Sequence, residues 1–161
     1  MATTPTRLQT LLTSATDPEI VERYFAKIHR PDSTTCWLWT GAISGKGHGR
    51  FWIGAGLVVV AHRFGWLVNA GDDVDELPEV VSHSCDNPLC QNPAHLRAAT
   101  WSSNRLEYLA RRGTPGSPLR DKRGSRGRAR ELRDAAKAKG DVGAVEDAGL
   151  TELDRFQTTL W

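Results

Sequence analysis

The sequence has no apolar run approaching the ~18 residues needed to span a bilayer. Its longest, Leu57 to Ala61, is only a strand's worth. The N-terminus, MATTPTRLQTLLTSATDPE, lacks the basic-then-apolar pattern of a secretory leader. The protein therefore reads as intracellular, with no membrane partner. Cysteine is scarce and odd in number. Cys36, Cys85 and Cys90 cannot close a disulfide framework, and in a reducing compartment cysteines at short spacing point to metal. There is little net charge, +2, and no internal repeat. What is present suits one compact domain with a small appendage: 161 residues, and six tryptophans among an apolar fraction of 39%, enough for a modest core.

The charge is unevenly placed. Arg111 to Arg133 holds nine basic residues and two acidic ones, so this stretch is +7 and the remainder −5. A basic stretch beside an acidic body suits a polyanion, with nucleic acid first among the candidates. A solvated, disordered tail has the same composition. The residues expected to face phosphate are Arg111, Arg112, Arg120, Lys122, Arg123, Arg126, Arg128 and Arg130.

Residues 1–16 are Thr-rich and aperiodic and read as frayed. Asp17 and Pro18 form a helix start, and Ile20, Val21, Tyr24, Phe25 and Ile28 continue at helical spacing over 18–29. CWLWTG (36–41) reads as a strand, GAISGKGHG as a glycine-rich turn, RFWIG (50–54) as the returning strand and LVVVA (57–61) as a third. A helix follows over 62–70, stopped by Gly71, then the acidic loop GDDVDELPE. EVVSH (79–83) is a strand, DNPLCQNP a loop, Leu96 to Ala99 a short strand, and Thr100 caps a helix running to Arg112. This gives a domain over 17–113, a basic linker over 114–127, and an appendage over 128–161. The appendage reads as three short helices in the order of a degenerate helix-turn-helix, or equally as a packing appendage.

The chemistry concentrates in VVSHSCDNPLCQNPAHLRAATWSSN, 80–104. Cys85 and Cys90 form a C-x4-C pair with His95 five residues on, and Pro88 and Pro93 help the loop turn back. Tetrahedral zinc needs a fourth ligand, and Cys36 is the remaining thiol. Cys36, Cys85, Cys90 and His95 would make a closed Cys3His site, structural because no position is left open to substrate. The alternative is three ordinary buried cysteines.

The pattern H-x-C-x4-C-x-N-P-x-H-L, followed by an asparagine on the next helix, resembles that of zinc-stabilised HNH endonucleases, many of them phage proteins. It is also similar to the His-Cys box homing endonucleases, which share a ββα-metal (His-Me finger) active site. The upstream CWLWTGAISGKGHGRF and AHRFGW resemble the region before the motif in the phage group, so the likeness covers about 20–113. It implies an α+β fold: a ββα-metal core with an N-terminal helix and β-hairpin, plus the helical C-terminal appendage. By position, His83 matches the general base and Asn104 the helical ligand of a catalytic Mg2+, with Mn2+ as a substitute. Asn92 matches the asparagine that holds the loop. Three departures stand out. Ser82 occupies the place of an aspartate that binds the catalytic metal in many HNH proteins. The second zinc cluster of the His-Cys box type is missing. His48 stands where the phage group commonly has a tyrosine.

The implied activity is DNA phosphodiester hydrolysis, as nicking or double-strand cleavage, leaving 5′-phosphate and 3′-hydroxyl ends. A histidine with an ordinary pKa near ~6.5 can deprotonate water near neutrality. Arg50 and Arg63 are candidates to steady the scissile phosphate, and each is as readily a structural arginine. His62 reads as structural, and His29 and His48 as bystanders. Monomer and homodimer remain open. The competing reading is a non-catalytic, zinc-stabilised DNA-binding protein.

Overall fold

The computed structural model describes residues 6–54, 56–71 and 76–158; the acidic loop at 72–75 and the expected helix end at 159–161 lie outside them. The protein is mixed α+β, with three small two-stranded antiparallel sheets and seven α-helices among the described residues. No helix among these residues is long and apolar enough to cross a membrane.

Over residues 6–16 the structure corrects the expectation of fraying, while residues 1–5 lie outside the described residues. Arg7–Thr16 is a helix (α1), started by a capping box in which Thr6 accepts from the Gln9 amide and Gln9 returns a bond to the Thr6 amide. Leu11 and Ala15 are buried in the core. The second helix, α2 (Pro18–Phe25), starts at Asp17 as the sequence indicates, its carboxylate accepting from the amides of Glu19 and Ile20. It ends earlier than expected. Ile28–His29 leaves the helix to form β1, paired with β2 (Leu38–Trp39).

The strands of the second sheet lie where expected but pair differently. RFWIG is β3 (Arg50–Gly54), and its partner is β4 (Leu57–Val60), not the CWLWTG strand. Gly54 and Gly56 take positive φ at the tight return, which glycine adopts without steric cost. Helix α3 (Ala61–Ala70) follows directly. A Cβ at its Gly65 would collide with Tyr24 Oη, so glycine there lets the fully buried Tyr24 ring lie against α3. Trp39, Phe51 and Phe64 surround that ring in edge and tilted contacts.

Strand β5 (Val80–His83) pairs with β6 (Leu96–Ala99), and His83 stands opposite Leu96. The chain between them makes the cysteine-bearing loop. Helix α4 (Trp101–Arg112) follows at once, with Thr100 and Ser103 forming a reciprocal cap. The local order is thus strand, loop, strand, helix.

The expected linker and separate appendage need correcting. Helix α5 (Gly124–Ala138) begins inside the supposed linker. Its Ala129, Leu132 and Ala136 lie in the same apolar core as Leu38, Trp39 and Leu89. Small residues recur on this face because α5 lies close to the glycine-rich turn: a Cβ on Gly47 would meet Ala129 Cβ and the Ser125 carbonyl at 2.9 Å. Helices α6 (Val142–Ala148) and α7 (Glu152–Thr158) follow in the expected order.

Candidate active site and metal centre

Cys36, Cys85, Cys90 and His95 converge from two parts of the chain. Cys36 precedes β2, and the other three lie on or beside the β5–β6 loop. Asn92 joins the two parts. Its fully buried amide donates to the carbonyls of Ser33 (3.0 Å) and Thr35 (2.8 Å) and accepts from the Ala94 amide (3.0 Å). Asp32 shapes the approach to Cys36 by accepting from the amides and hydroxyls of Thr34 and Thr35. Leu38 then pairs with Cys90 in an isolated bridge.

The donor set fits zinc. With Zn–S of ~2.3 Å and Zn–N of ~2.1 Å, a tetrahedral site has S···N edges of about 3.6 Å. His95 Nδ1 lies 3.5 Å from Cys90 Sγ and 3.7 Å from Cys36 Sγ, and all four ligand atoms fall within 4.8 Å of one another. The thiols compete for one anionic charge. Hydrogen bonds from Cys36 and Cys90 drive the Cys85 thiol well down, while the same contacts push the other two up. A divalent cation at the centre would relieve that competition.

His83 leaves β5 beside this cluster. Its Nε2 is 3.0 Å from the Cys90 carbonyl oxygen. A carbonyl only accepts, so Nε2 carries the proton and Nδ1 holds the free lone pair. Burial lowers the His83 pKa, partly opposed by Cys85 and by this hydrogen bond. Burial thus favours the neutral ring.

Asn104 sits in the first turn of α4, its amide N–H bonded to the Thr100 carbonyl. It shares a helix face with Arg111, seven residues on. Arg111 anchors that face to the loop. Its Nε is 2.9 Å from the Asp86 carboxylate, and another guanidinium nitrogen donates to the His83 carbonyl at 3.4 Å. Asp86 itself takes a positive φ of 54° next to Cys85. Sequence reasoning placed Arg111 against phosphate, whereas the structure commits its guanidinium to holding the cysteine loop on α4.

Other basic residues are reassigned for the same reason. Arg120 pairs with Asp154, Arg123 with Asp121 and Glu131, and Arg128 with Asp121 and Glu146. Asp121 and Arg128 are buried. The Arg123 and Arg128 pairs fasten α5 to the segments around it, and the Arg120 pair ties the preceding turn to α7, so the stretch is not a free polycation. Arg112 lies over the Tyr108 ring. Lys122, Arg126 and Arg130 are exposed and make no ion pair among the described residues. Arg63 donates to the carbonyls of Pro78 and Glu79 at 3.0 and 3.1 Å, setting the entry to β5, which is the structural reading of that residue. Arg50 is exposed on β3.

The structure also brings together residues that the sequence left apart. His48, from the glycine-rich turn, and His62, from the start of α3, gather around His83, with their candidate ligand atoms within 4.8 Å. Positions 48, 62 and 83 share no motif spacing, and only the tertiary fold unites them. The one sequence signal was His48 itself, standing where a tyrosine is common.

Among curated proteins, the chain is similar to Protein 2.8 of Escherichia phage T7, 38% identical over 92 residues, which are 56% of this chain and 60% of that protein. It is also similar to Protein 7.7 of the same phage, 36% identical over 76 residues, 47% of this chain and 56% of that protein. The chain thus spans under two thirds of the length of each of these relatives. No family model matches the sequence, and no solved structure matches it.

Proposed function

We propose that this protein is a metal-dependent DNA endonuclease of the HNH, ββα-metal type, with His83 as its general base. The observation that carries this reading is the hydrogen bond from His83 Nε2–H to the Cys90 carbonyl, which presents Nδ1 as a lone pair beside a loop braced by a Cys3His cluster. The order β5, loop, β6, α4 supports it, with Asn104 on the helix face that Arg111 turns toward the loop.

In this reading, Cys36, Cys85, Cys90 and His95 hold zinc as a structural staple, and Asn104 offers its amide oxygen to Mg2+. Few other oxygens fit: Ser82 replaces a carboxylate, and its hydroxyl faces the Arg97 carbonyl at 3.4 Å. Mg2+ keeps several waters and takes phosphate oxygens, so one amide ligand suffices. When bound, it supplies Lewis-acid stabilisation of the 3′ leaving oxygen. His83 Nδ1 takes the proton of the attacking water. The Cys90 carbonyl keeps the ring in the required tautomer and steadies the imidazolium that forms. Arg112, Lys122, Arg126 and Arg130 contribute sequence-independent attraction to the DNA backbone.

The missing carboxylate at Ser82 favours a second reading, a zinc-stabilised DNA-binding protein without catalysis. Incubation of supercoiled plasmid with the protein and Mg2+ separates the two. Nicked or linear products that carry 5′-phosphates and vanish with chelator support the nuclease. Retarded but intact plasmid supports the binding protein.

A further inference from the structure

Outside the thiolate cluster, the described residues contain a second convergence of ligand-type side chains: His48, His62 and His83. Their ring centroids are 5.3 Å apart for His48–His62, 4.4 Å for His62–His83 and 6.2 Å for His48–His83. With metal–nitrogen bonds of ~2.1 Å, three imidazoles on one ion hold their ring centres about 4.5–5.5 Å apart. Two of the pairs lie at or within 0.1 Å of that window. The third is wider, although the candidate ligand atoms of all three rings lie within 4.8 Å of one another.

The tautomers are already set for ligation. His62 Nε2 is 3.1 Å from the Val81 carbonyl, and His83 Nε2 is 3.0 Å from the Cys90 carbonyl. Each carbonyl holds the ring N–H and leaves Nδ1 with its lone pair, the arrangement by which backbone carbonyls orient metal-binding histidines. His62 is only 5% exposed, and its Nδ1 is buried without a hydrogen-bond partner. A buried polar atom left unpaired is costly, so it calls for a partner. The His48 ring also makes no hydrogen bond among the described residues.

We propose that His48, His62 and His83 form a second metal site, separate from the Cys3His cluster, for a borderline divalent transition-metal ion such as Zn2+, Co2+ or Ni2+. An all-nitrogen set selects these ions over Mg2+, which demands oxygen. The site shares an atom with the proposed nuclease chemistry: His83 Nδ1 cannot both ligate a metal and accept a proton from water. Occupation therefore switches off base catalysis, a consequence that rests on the nuclease reading, whereas the binding itself does not.

The test uses tag-free, full-length protein carrying one equivalent of zinc, titrated with Co2+ by calorimetry and visible absorption. A further equivalent of cobalt should bind, giving d–d bands without thiolate-to-cobalt charge transfer. His48→Gln and His62→Gln should each weaken this step at least tenfold and leave the zinc content at one equivalent. His48→Gln, on the turn, serves as the readout should the buried His62 variant fold poorly. Absence of a second equivalent, thiolate charge-transfer bands in its place, or wild-type affinity in His48→Gln would overturn the site. In parallel, cobalt at the occupancy found by titration should suppress Mg2+-driven plasmid nicking. Undiminished nicking would overturn the switch. Absence of nicking with Mg2+ alone would remove the nuclease reading while the binding measurement stands.

Discussion

The Cys90 carbonyl accepts the His83 Nε2 proton at 3.0 Å, and the thiol of the same Cys90 lies 3.5 Å from His95 Nδ1 in the Cys3His cluster. One residue thus links the structural ligand set to the proposed base. Zinc in such sites contributes on the order of 10 kcal/mol to small folds. Stripping zinc with a chelator should therefore lower the melting temperature sharply, as read by circular dichroism. Cys90→Ser should do the same and cut residual plasmid nicking more than the loss of folded protein accounts for. Unchanged thermal stability after verified zinc removal would count against a structural role for the cluster.

Asn92 offers a cleaner probe of the staple, because it touches no metal. Two of its side-chain hydrogen bonds, to the Ser33 and Thr35 carbonyls, tie the loop to the segment leading into Cys36, and a third, from the Ala94 amide, holds the loop itself. Replacement by alanine removes the donor of two part-buried bonds and the acceptor of a third, at about 1 kcal/mol for each. Urea denaturation of Asn92→Ala should show a loss of at least ~2 kcal/mol. A loss below about 0.5 kcal/mol would mean that the Cys36 segment is held by other means.

Much of this site was legible in the sequence, for identifiable reasons. Cys85, Cys90, Asn92 and His95 are close in the chain, so their spacing carries their geometry. Strand β6 and helix α4 lie where the apolar pattern and the Thr100 cap place them. Ion pairing was not legible. Arg123 and Arg128 look like phosphate ligands until the fold brings Asp121, Glu131 and Glu146 to them. The frayed reading of residues 7–16 failed because a Thr6–Gln9 capping box sits in a Thr-rich stretch whose apolar periodicity is weak. The place of α5 in the core was hidden because its buried face is made of small residues, Ala129 and Ala136 around Leu132.

The charge reassignment leads to a divided outcome. Removal of the C-terminal helices would strip Ala129, Leu132 and Ala136 from the core, so side-chain substitution is the appropriate probe. Arg126→Gln with Arg130→Gln should leave stability within about 0.5 kcal/mol, as for exposed residues away from structural features. The salt slope of DNA binding should flatten by up to ~2 if both contact phosphate. Arg128→Gln, in contrast, breaks the buried pair with Asp121 and should mainly destabilise the fold. Fluorescence anisotropy at several salt concentrations and urea melts read the two effects separately.

Acid should weaken the fold through the histidine cluster. Burial pushes His48 down to about 4, with His83 adding to the shift. An unfolded histidine titrates near ~6.5, so between these values the unfolded chain binds more protons than the folded one. The contribution of a neutral His48 is present above pH ~6.5 and is lost as pH falls toward 4. The Cys3His cluster takes up protons in the same direction, so the comparison is with His48→Gln, which keeps that cluster. Stability of the variant should fall less steeply with acid than that of the wild type. Parallel curves would contradict a buried neutral His48.

The central claim is that His83 takes a proton during phosphodiester hydrolysis. A positioned general base contributes about 10²–10⁴-fold in rate. The most direct test is the rate of supercoiled plasmid cleavage in Mg2+ by zinc-loaded wild type and His83→Ala, with DNA affinity and melting temperature measured on the same samples. The account predicts cleavage by the wild type and at least ~100-fold slower cleavage by a folded, DNA-binding His83→Ala. Equal rates for the two proteins, or intact plasmid with both, would contradict it.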